Sequence, residues 1–288
     1  ALGTPSTPGI RAPNASRCSL EIALIDCALR AQSMPMGALL PPLRQEVRYD
    51  GVLTAADPAK AAKIARQMKL IGLEQFKIKV GLGEDEERIR RVREVLGTEV
   101  SLRVDANGTW HPDKAAAALE PLAALGVTHV EAPIPCDSPE TLASLDLPCD
   151  IVVDEYLVTL EDARALADLK ACEVFNVRLS KLGGFWRSLQ VVEIAQAAGI
   201  GLQVGSQVGE TAILSAAGRH LAASLPETLF VEGSYGSLLL TEDISREPVS
   251  FGYGGLAPVF KGPGLGVTIR PELLNKYAKK VITLRCEP

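Results

Sequence analysis

The strongest constraint on the fold is an alternation of short apolar runs with longer amphipathic segments, which begins near Val47 and continues to about Val231. Eight runs have the length and composition of strands, at residues 47–53, 76–80, 100–104, 127–131, 151–154, 174–179, 201–204 and 229–231. Helical periodicity fills the intervals, with Asp57 and Thr159 placed as N-caps. Eight such units of about 25 residues predict a TIM-type (β/α)7β barrel of the α/β class, with an open doubly wound sheet as the alternative.

The two ends of the chain lie outside this alternation. One helical pattern, at residues 19–32, precedes the first strand, so we expect the first forty residues to pack against the barrel without supplying a strand. After about Tyr235 the alternation stops, and the remaining residues read as loops and short elements. The sequence therefore predicts an N-terminal segment at 1–45, a barrel at 46–234 and a C-terminal tail at 235–288.

Composition and charge limit the kinds of molecule and metal that the chain is expected to bind. The formal net charge is −5, and Lys and Arg are scattered among Asp and Glu, so nucleic acid is not expected as a partner. The sequence shows neither a signal-peptide core nor a run of roughly 20 apolar residues, which predicts a cytoplasmic protein that does not enter a membrane. Six widely spaced cysteines without a CxxC pair argue against a zinc site or a disulfide framework.

Polar residues end or follow seven successive apolar runs, at intervals of 23 to 27 residues: Lys79, Asp105, Glu131, Asp154, Lys181, Gln207 and Glu232. The carboxyl ends of barrel strands meet at one mouth, where the active sites of such barrels lie. Asp105, Glu131 and Asp154 belong to neighbouring strands, and three unpaired carboxylates at one mouth would repel one another. A hard divalent cation removes this conflict, so the sequence predicts a Mg²⁺ site, with Mn²⁺ as a substitute; helix capping is the simpler alternative for any one residue.

Lysines at the same mouth are candidates for acid–base chemistry. Lys77 and Lys79 alternate along the second strand and face the same side, so their repulsion and partial burial should lower a lysine pKa. Lys181 ends the sixth run, and in a ring of eight strands it should lie across the mouth from Lys79. This placement predicts two lysines on opposite faces of an enolate. Two alternatives remain: Lys181 could form a Schiff base, as in an aldolase, or the barrel could be inactive and serve in binding.

An ordered set of motifs, FKIKVG, LRVDANGTW, VEAPIP, VVDEYL, FNVRLSKLGG, VGSQVGET and KGPGLGV, resembles the enolase superfamily and, within it, the muconate cycloisomerase (muconate-lactonizing) subgroup. The resemblance implies a set of Mg²⁺ ligands, Asp105, Glu131 and Asp154. It implies Lys79 as a base, Lys77 as the neighbour that lowers its pKa, and Lys181 as the base or cationic group on the other face. It also implies a small-molecule carboxylate as substrate and a homo-oligomer, either a dimer or an octamer.

Departures from the family pattern narrow the reaction. VGSQVG lacks the His of the mandelate racemase subgroup, and VEGSYGS lacks the Asp-x-Asp pair of the dipeptide epimerases. The family also has an N-terminal α+β capping domain that selects the substrate, and this sequence starts near that domain's last helix. We expect Mg²⁺-dependent removal of the proton next to a substrate carboxylate, through an enolate, in a racemase, cycloisomerase or lyase. The expected substrate-binding residues are Asn107, Ser206, Gln207 and Glu232, with a protonated Glu232 donating a hydrogen bond to the substrate.

Overall fold

The structure is a computed structural model that describes residues 13–135 and 138–282. The strands in these residues are β1 (Glu46–Arg48), β2 (Gly51–Leu53), β3 (Gln75–Lys79), β4 (Ser101–Asp105), β5 (Val127–Glu131), β6 (Asp150–Val153), β7 (Val174–Val177), β8 (Gly201–Val204), β9 (Phe230–Val231) and β10 (Leu256–Pro258). The helices are α1 (Asn14–Ala31), α2 (Pro58–Leu70), α3 (Asp85–Leu96), α4 (Pro112–Ala124), α5 (Pro139–Ala143), α6 (Leu160–Asp168), α7 (Leu179–Leu182), α8 (Phe185–Ala198), α9 (Ala212–Ser224), α10 (Gly236–Leu239) and α11 (Pro271–Tyr277). Two short 3-10 helices span Met36–Ala38 and Tyr253–Gly255.

Eight strands form one parallel sheet in the chain order β2 to β9. The backbone N–H of Asp50, just before β2, donates to the carbonyl oxygen of Val231 in β9 at 2.9 Å. This bond joins the two ends of the sheet, so the sheet closes into a ring. Helices separate successive strands, which confirms the predicted barrel and excludes the open sheet.

The first predicted strand, at residues 47–53, was wrong in one respect, because it consists of two strands with different partners. β1 pairs antiparallel with β10 in a small sheet of its own, whereas β2 pairs with β3 in the barrel. Between them, the N–H of Tyr49 donates to Gly255 at 2.8 Å and the N–H of Asp50 donates to Val231. The chain therefore changes partners within two residues, and the pattern of apolar residues at 47–53 does not reveal such a change.

Local signals position the helices and strands that build the mouth of the barrel. The Asp57 side chain accepts a hydrogen bond from the N–H of Lys60 at 2.6 Å, and Thr159 forms a capping box with Asp162. Both predicted N-caps are thus confirmed. Along β3, Phe76 is fully buried, and because side chains alternate in a strand, Lys77 points to the opposite side, into the barrel.

The segments before and after the barrel pack against it. Helix α1 starts earlier than predicted, at Asn14, and lies against α7 and α8, and no described residue before Glu46 belongs to a barrel strand. Arg219 is a buried residue on α9, and it donates to two carbonyl oxygens of the tail, those of Pro258 and Ser250, at 3.2 and 2.8 Å. These bonds hold the tail to the outer layer of the barrel.

The described cysteines form no disulfide bond with one another, namely Cys18, Cys27, Cys149 and Cys172. The other two, Cys136 and Cys286, lie outside the described residues. No helix within the described ranges is long and apolar enough to cross a membrane.

Candidate active site

A cavity of about 460 Å³ opens at the carboxyl ends of the barrel strands. Nine of the ten residues singled out in the sequence line it: Lys77, Lys79, Asp105, Asn107, Glu131, Asp154, Ser206, Gln207 and Glu232. The tenth, Lys181, is not part of the lining. Six strands separated by helices thus bring these nine residues, far apart in the sequence, to one mouth, as the barrel topology predicts.

Strand register explains why the first of these residues meet. Lys79 on β3 pairs with Asp105 on β4, and Asp105 pairs with Glu131 on β5. Paired residues on neighbouring strands point the same way, so these three side chains form a row across the mouth. Asp154 directly follows the last residue of β6 and extends the row to a fourth strand.

Lys77 is the centre of a buried ion network. Its Nζ lies 3.3 Å from Asp105 Oδ2, 3.0 Å from Glu131 Oε2 and 2.7 Å from Glu232 Oε1. Burial acts to lower the pKa of Lys77, but attraction by Glu131, Glu232 and Asp105 outweighs it and raises the pKa. Lys77 therefore stays cationic, so it is not the lysine of the pair whose pKa is lowered.

Glu232 has a different role from the one expected. Its Oε1 accepts a hydrogen bond from Arg103 Nη2 at 2.7 Å and pairs with Lys77. Burial acts to raise the pKa of Glu232, but Lys77 and Arg103 outweigh it and lower the pKa. The prediction of a protonated Glu232 that donates to the substrate was wrong, because two cations from other strands keep this carboxylate ionised.

Lys79 lies nearer the opening than Lys77, with 27% of its side chain exposed against 6% for Lys77. Its Nζ donates to Asp105 Oδ2 at 2.9 Å and to Asn107 Oδ1. Asn107 in turn donates from Nδ2 to Glu155 Oε1 at 3.1 Å, and its backbone N–H donates to Asp105 Oδ1 at 3.0 Å. Asn107 therefore orients both Lys79 and Asp105, and Glu155 lines the cavity as well.

Two cationic side chains bind Asp154, and only one of them lines the cavity. Arg178 donates from Nη2 to Asp154 Oδ2 and lines the cavity. Lys181 Nζ lies 2.8 Å from Asp154 Oδ1 but is buried in α7. The expected position of Lys181 at a strand end was wrong: β7 ends at Val177, and the chain then turns into α7, so Arg178 takes the place at the mouth. Burial lowers the pKa of Lys181 against the attraction of Asp154.

The three carboxylates predicted to bind a metal each pair with a cationic side chain. Among residues 13–135 and 138–282, no three His, Cys, Asp or Glu side chains lie close enough together to count as a metal cluster. The donors are nevertheless the hard oxygen ligands that Mg²⁺ prefers, they are buried to 4% exposure or less, and they come from three consecutive strands. Their chemistry therefore fits Mg²⁺.

Two amides that were not predicted from the sequence hold Glu131. Asn176 donates from Nδ2 to Glu131 Oε1 at 2.9 Å, and Gln203 donates from Nε2 to Glu131 Oε2 at 3.0 Å. Both amides are buried inside the barrel, and the backbone at Gly205 leaves the space that Asn176 occupies, because a Cβ there would overlap its Oδ1. A polar residue inside an apolar strand run, as in FNV and LQV, was the available signal.

The loop after β8 contributes Ser206 and Gln207 to the cavity wall. The backbone N–H of Gln207 donates to Glu210 Oε1 at 2.7 Å, which shapes the loop. Burial raises the pKa of Glu210 to about 7. Exposed apolar side chains complete this side of the opening, namely Val208, Leu238 and Leu239.

Comparison with known proteins agrees with this geometry. Residues 60–273 match the family described as enolase C-terminal domain-like. The chain is 32% identical to N-succinyl-L-Arg/Lys racemase of Bacillus cereus, over 91% of this chain and 71% of that protein. It is 30% identical to muconate cycloisomerase 1 of Pseudomonas putida, over 92% of this chain and 72% of that protein.

A solved structure supports the same assignment. The muconate lactonizing enzyme of Pseudomonas fluorescens, complexed with muconolactone, superposes with a TM-score of 0.85 at 32% identity, covering 93% of this chain and 74% of that one. The family match spans most of the chain, and both relatives and the solved structure are enzymes. The chain therefore belongs to the enolase superfamily, as an enzyme of the group that includes the muconate cycloisomerases and their related racemases.

Proposed function

We propose that the chain removes the proton next to the carboxylate of a small-molecule substrate, in a Mg²⁺-dependent reaction that passes through an enolate. One observation supports this most: Lys79, Asp105, Glu131 and Asp154 come from four consecutive strands and line one cavity. A base and three oxygen donors on one wall are the groups that this chemistry needs. The enolase superfamily pairs a Lys or His base with Mg²⁺ in this way.

Asp105, Glu131 and Asp154 would hold the cation, with Mn²⁺ as a possible substitute. A bound Mg²⁺ supplies Lewis-acid polarisation of the substrate carboxylate. Asn176 and Gln203 fix both oxygens of Glu131, so that this ligand keeps its orientation. The buried lysine, Lys77, adds positive charge to the same wall.

Lys79 is the proposed base. It is the lysine nearest the opening, and its hydrogen bonds to Asp105 and Asn107 hold Nζ at the cavity wall. In its neutral form the amine accepts the substrate proton, and the ammonium that results returns it. The Schiff-base alternative has no support, because Lys181 is buried away from the cavity wall.

Metal binding is tested by titrating the complete chain with MgCl₂ in a calorimeter. We expect one Mg²⁺ per chain, and at least about a 10-fold weaker affinity in Asp105→Asn, since a ligand is lost. Asp113→Asn is the matched control, because the Asp113 side chain is 87% exposed on α4. Equal Mg²⁺ affinity in the two variants would contradict the proposed ligand set.

Proton abstraction is tested separately by exchange of the α-hydrogen in D₂O. The probes are N-succinyl-arginine and muconolactone, which the names of the relatives suggest. We expect deuterium to enter at least one probe with Mg²⁺ present and not in EDTA. If no probe exchanges, or exchange proceeds equally in EDTA, the proposed function fails.

A further inference from the structure

The group that faces Lys79 across the cavity is an arginine. Strands β3 and β7 are four positions apart in the ring of eight strands, so their carboxyl ends lie on opposite sides of the mouth. Lys79 ends β3, and Arg178 directly follows the end of β7. Both side chains line the same cavity, whereas Lys181, one turn further on, does not.

Lys181 has no proton donor left for a substrate. Its Nζ donates to Asp154 Oδ1 at 2.8 Å, to the carbonyl oxygen of Asp154 at 2.6 Å and to that of Asn176 at 2.8 Å. An ammonium group has three N–H donors, so these bonds use all of them. Asn14 on α1 also binds the Lys181 carbonyl oxygen at 2.8 Å, which holds its backbone in place. Lys181 therefore fixes Asp154 as a positioning residue.

Arg178 has donors to spare. Within the described part of the chain, the guanidinium of Arg178 makes one hydrogen bond, from Nη2 to Asp154. The planar fork of a guanidinium suits carboxylate oxygens, and it remains protonated in proteins, so it does not accept a proton from carbon. Arg178 is thus able to hold negative charge on a substrate but is unable to act as a base.

We propose that this cavity works with a single base, Lys79, while Arg178 stabilises the enolate from the opposite face. This inference rests on the proposed function, and it specifies what happens to the enolate after the proton is removed. The C–H bond breaks, the proton moves to Nζ of Lys79, and the electron pair enters the enolate. The enolate then takes the same proton back on the same face, or it expels a β-substituent together with its electron pair, and the Lys79 ammonium protonates that leaving group.

A single base excludes inversion at the α-carbon, because inversion requires a proton donor on each face. The arrangement instead favours elimination, or cycloisomerisation, in which a carboxylate is the group that leaves or adds. The substrate class is therefore a carboxylate with a leaving group, or a double bond, at the β-position. A racemase would need a second group that gives and takes protons where Arg178 stands.

The test uses the complete chain with Mg²⁺ in D₂O and the separated enantiomers of N-succinyl-arginine, whose α-carbon is the stereocentre. Muconolactone, whose α-carbon is a CH₂ group, serves as a probe of exchange alone. Mass spectrometry measures deuterium at the α-carbon, and chiral chromatography measures configuration. We expect one enantiomer of a probe to exchange with retention, and inversion to be at least about 10²-fold slower than exchange. Lys79→Ala should stop the exchange. Lys181→Gln should slow it without changing which enantiomer reacts.

The possible outcomes separate this inference from the proposed function. Inversion at the rate of exchange in the unmodified chain, or loss of one enantiomer's exchange in Lys181→Gln alone, would overturn the single-base reading and leave proton abstraction intact. No Mg²⁺-dependent exchange of any probe would instead overturn the proposed function, and this inference with it. If Lys181→Gln does not fold, the ratio of inversion to exchange in the unmodified chain still distinguishes a single base from two bases.

Discussion

Replacing Arg103 by Met tests the ion layer beneath the cavity. Arg103 and Asp50 are both 0% exposed, with Arg103 Nη1 2.8 Å from Asp50 Oδ2, and Nη2 donates to Glu232 at 2.7 Å. Met keeps much of the side-chain volume but leaves two buried carboxylates with one cation fewer. Removing one partner of a buried pair costs about 3–5 kcal/mol. At about 2 °C per kcal/mol for a chain of this size, Tm should fall by about 6–10 °C.

Urea and thermal denaturation of the variant measure this loss, with Arg90→Met as the matched control. Arg90 on α3 also has acidic partners, but its side chain is 46% exposed, so its loss should cost about 0–1 kcal/mol. The double variant Arg103→Met with Asp50→Asn should recover part of the stability, because both members of the pair are then gone. If Arg103→Met were as mild as Arg90→Met, the buried layer would not contribute to stability as argued.

Three further predictions concern single side chains. Thr159→Ala should lower the free energy of unfolding by about 1 kcal/mol through loss of the capping box, whereas exposed Thr98→Ala should have little effect. Burial raises the pKa of Asp50 to about 7 despite Arg103, so the folded chain binds an extra proton, and the chain should lose stability relative to Asp50→Asn as pH rises from about 4 to 7 in denaturation curves. Asn176→Ala should weaken Mg²⁺ binding by about 10-fold or more by calorimetry, because it releases Glu131.

Most of the barrel was predictable from periodicity, because each strand must bury one or both faces and each helix one stripe. Strand ends were less predictable. The apolar run at 174–179 placed Lys181 just beyond a strand, but β7 ends at Val177 and the chain turns into α7. The interval from Asp154 to Arg178 is 24 residues, within the range of the other strand-end residues, but the next interval, from Arg178 to Gln207, is 29 residues. Even spacing therefore favoured Lys181 over Arg178.

Long-range pairing could not be predicted from local patterns. Lys77 and Arg103 together lower the pKa of Glu232, and Arg103 is 129 residues away from it in the sequence. In the same way, three carboxylates around Lys77 determine its charge, although the sequence shows only two alternating lysines. A residue's place at the mouth follows from strand order, whereas its protonation depends on neighbours that only the closed barrel brings together.

If the amine of Lys79 takes the substrate proton, removing that amine should stop exchange and rebuilding it chemically should restore exchange. Lys79→Cys should lower Mg²⁺-dependent exchange of the reactive probe by at least about 10²-fold, since the base is lost. Treatment with 2-bromoethylamine rebuilds an amine of nearly the same length on the introduced thiol, and exchange should return, with the unmodified chain treated identically as control. Exchange that persists in Lys79→Cys, or that stays absent in the folded and fully alkylated variant, would contradict the assignment of Lys79 as the base.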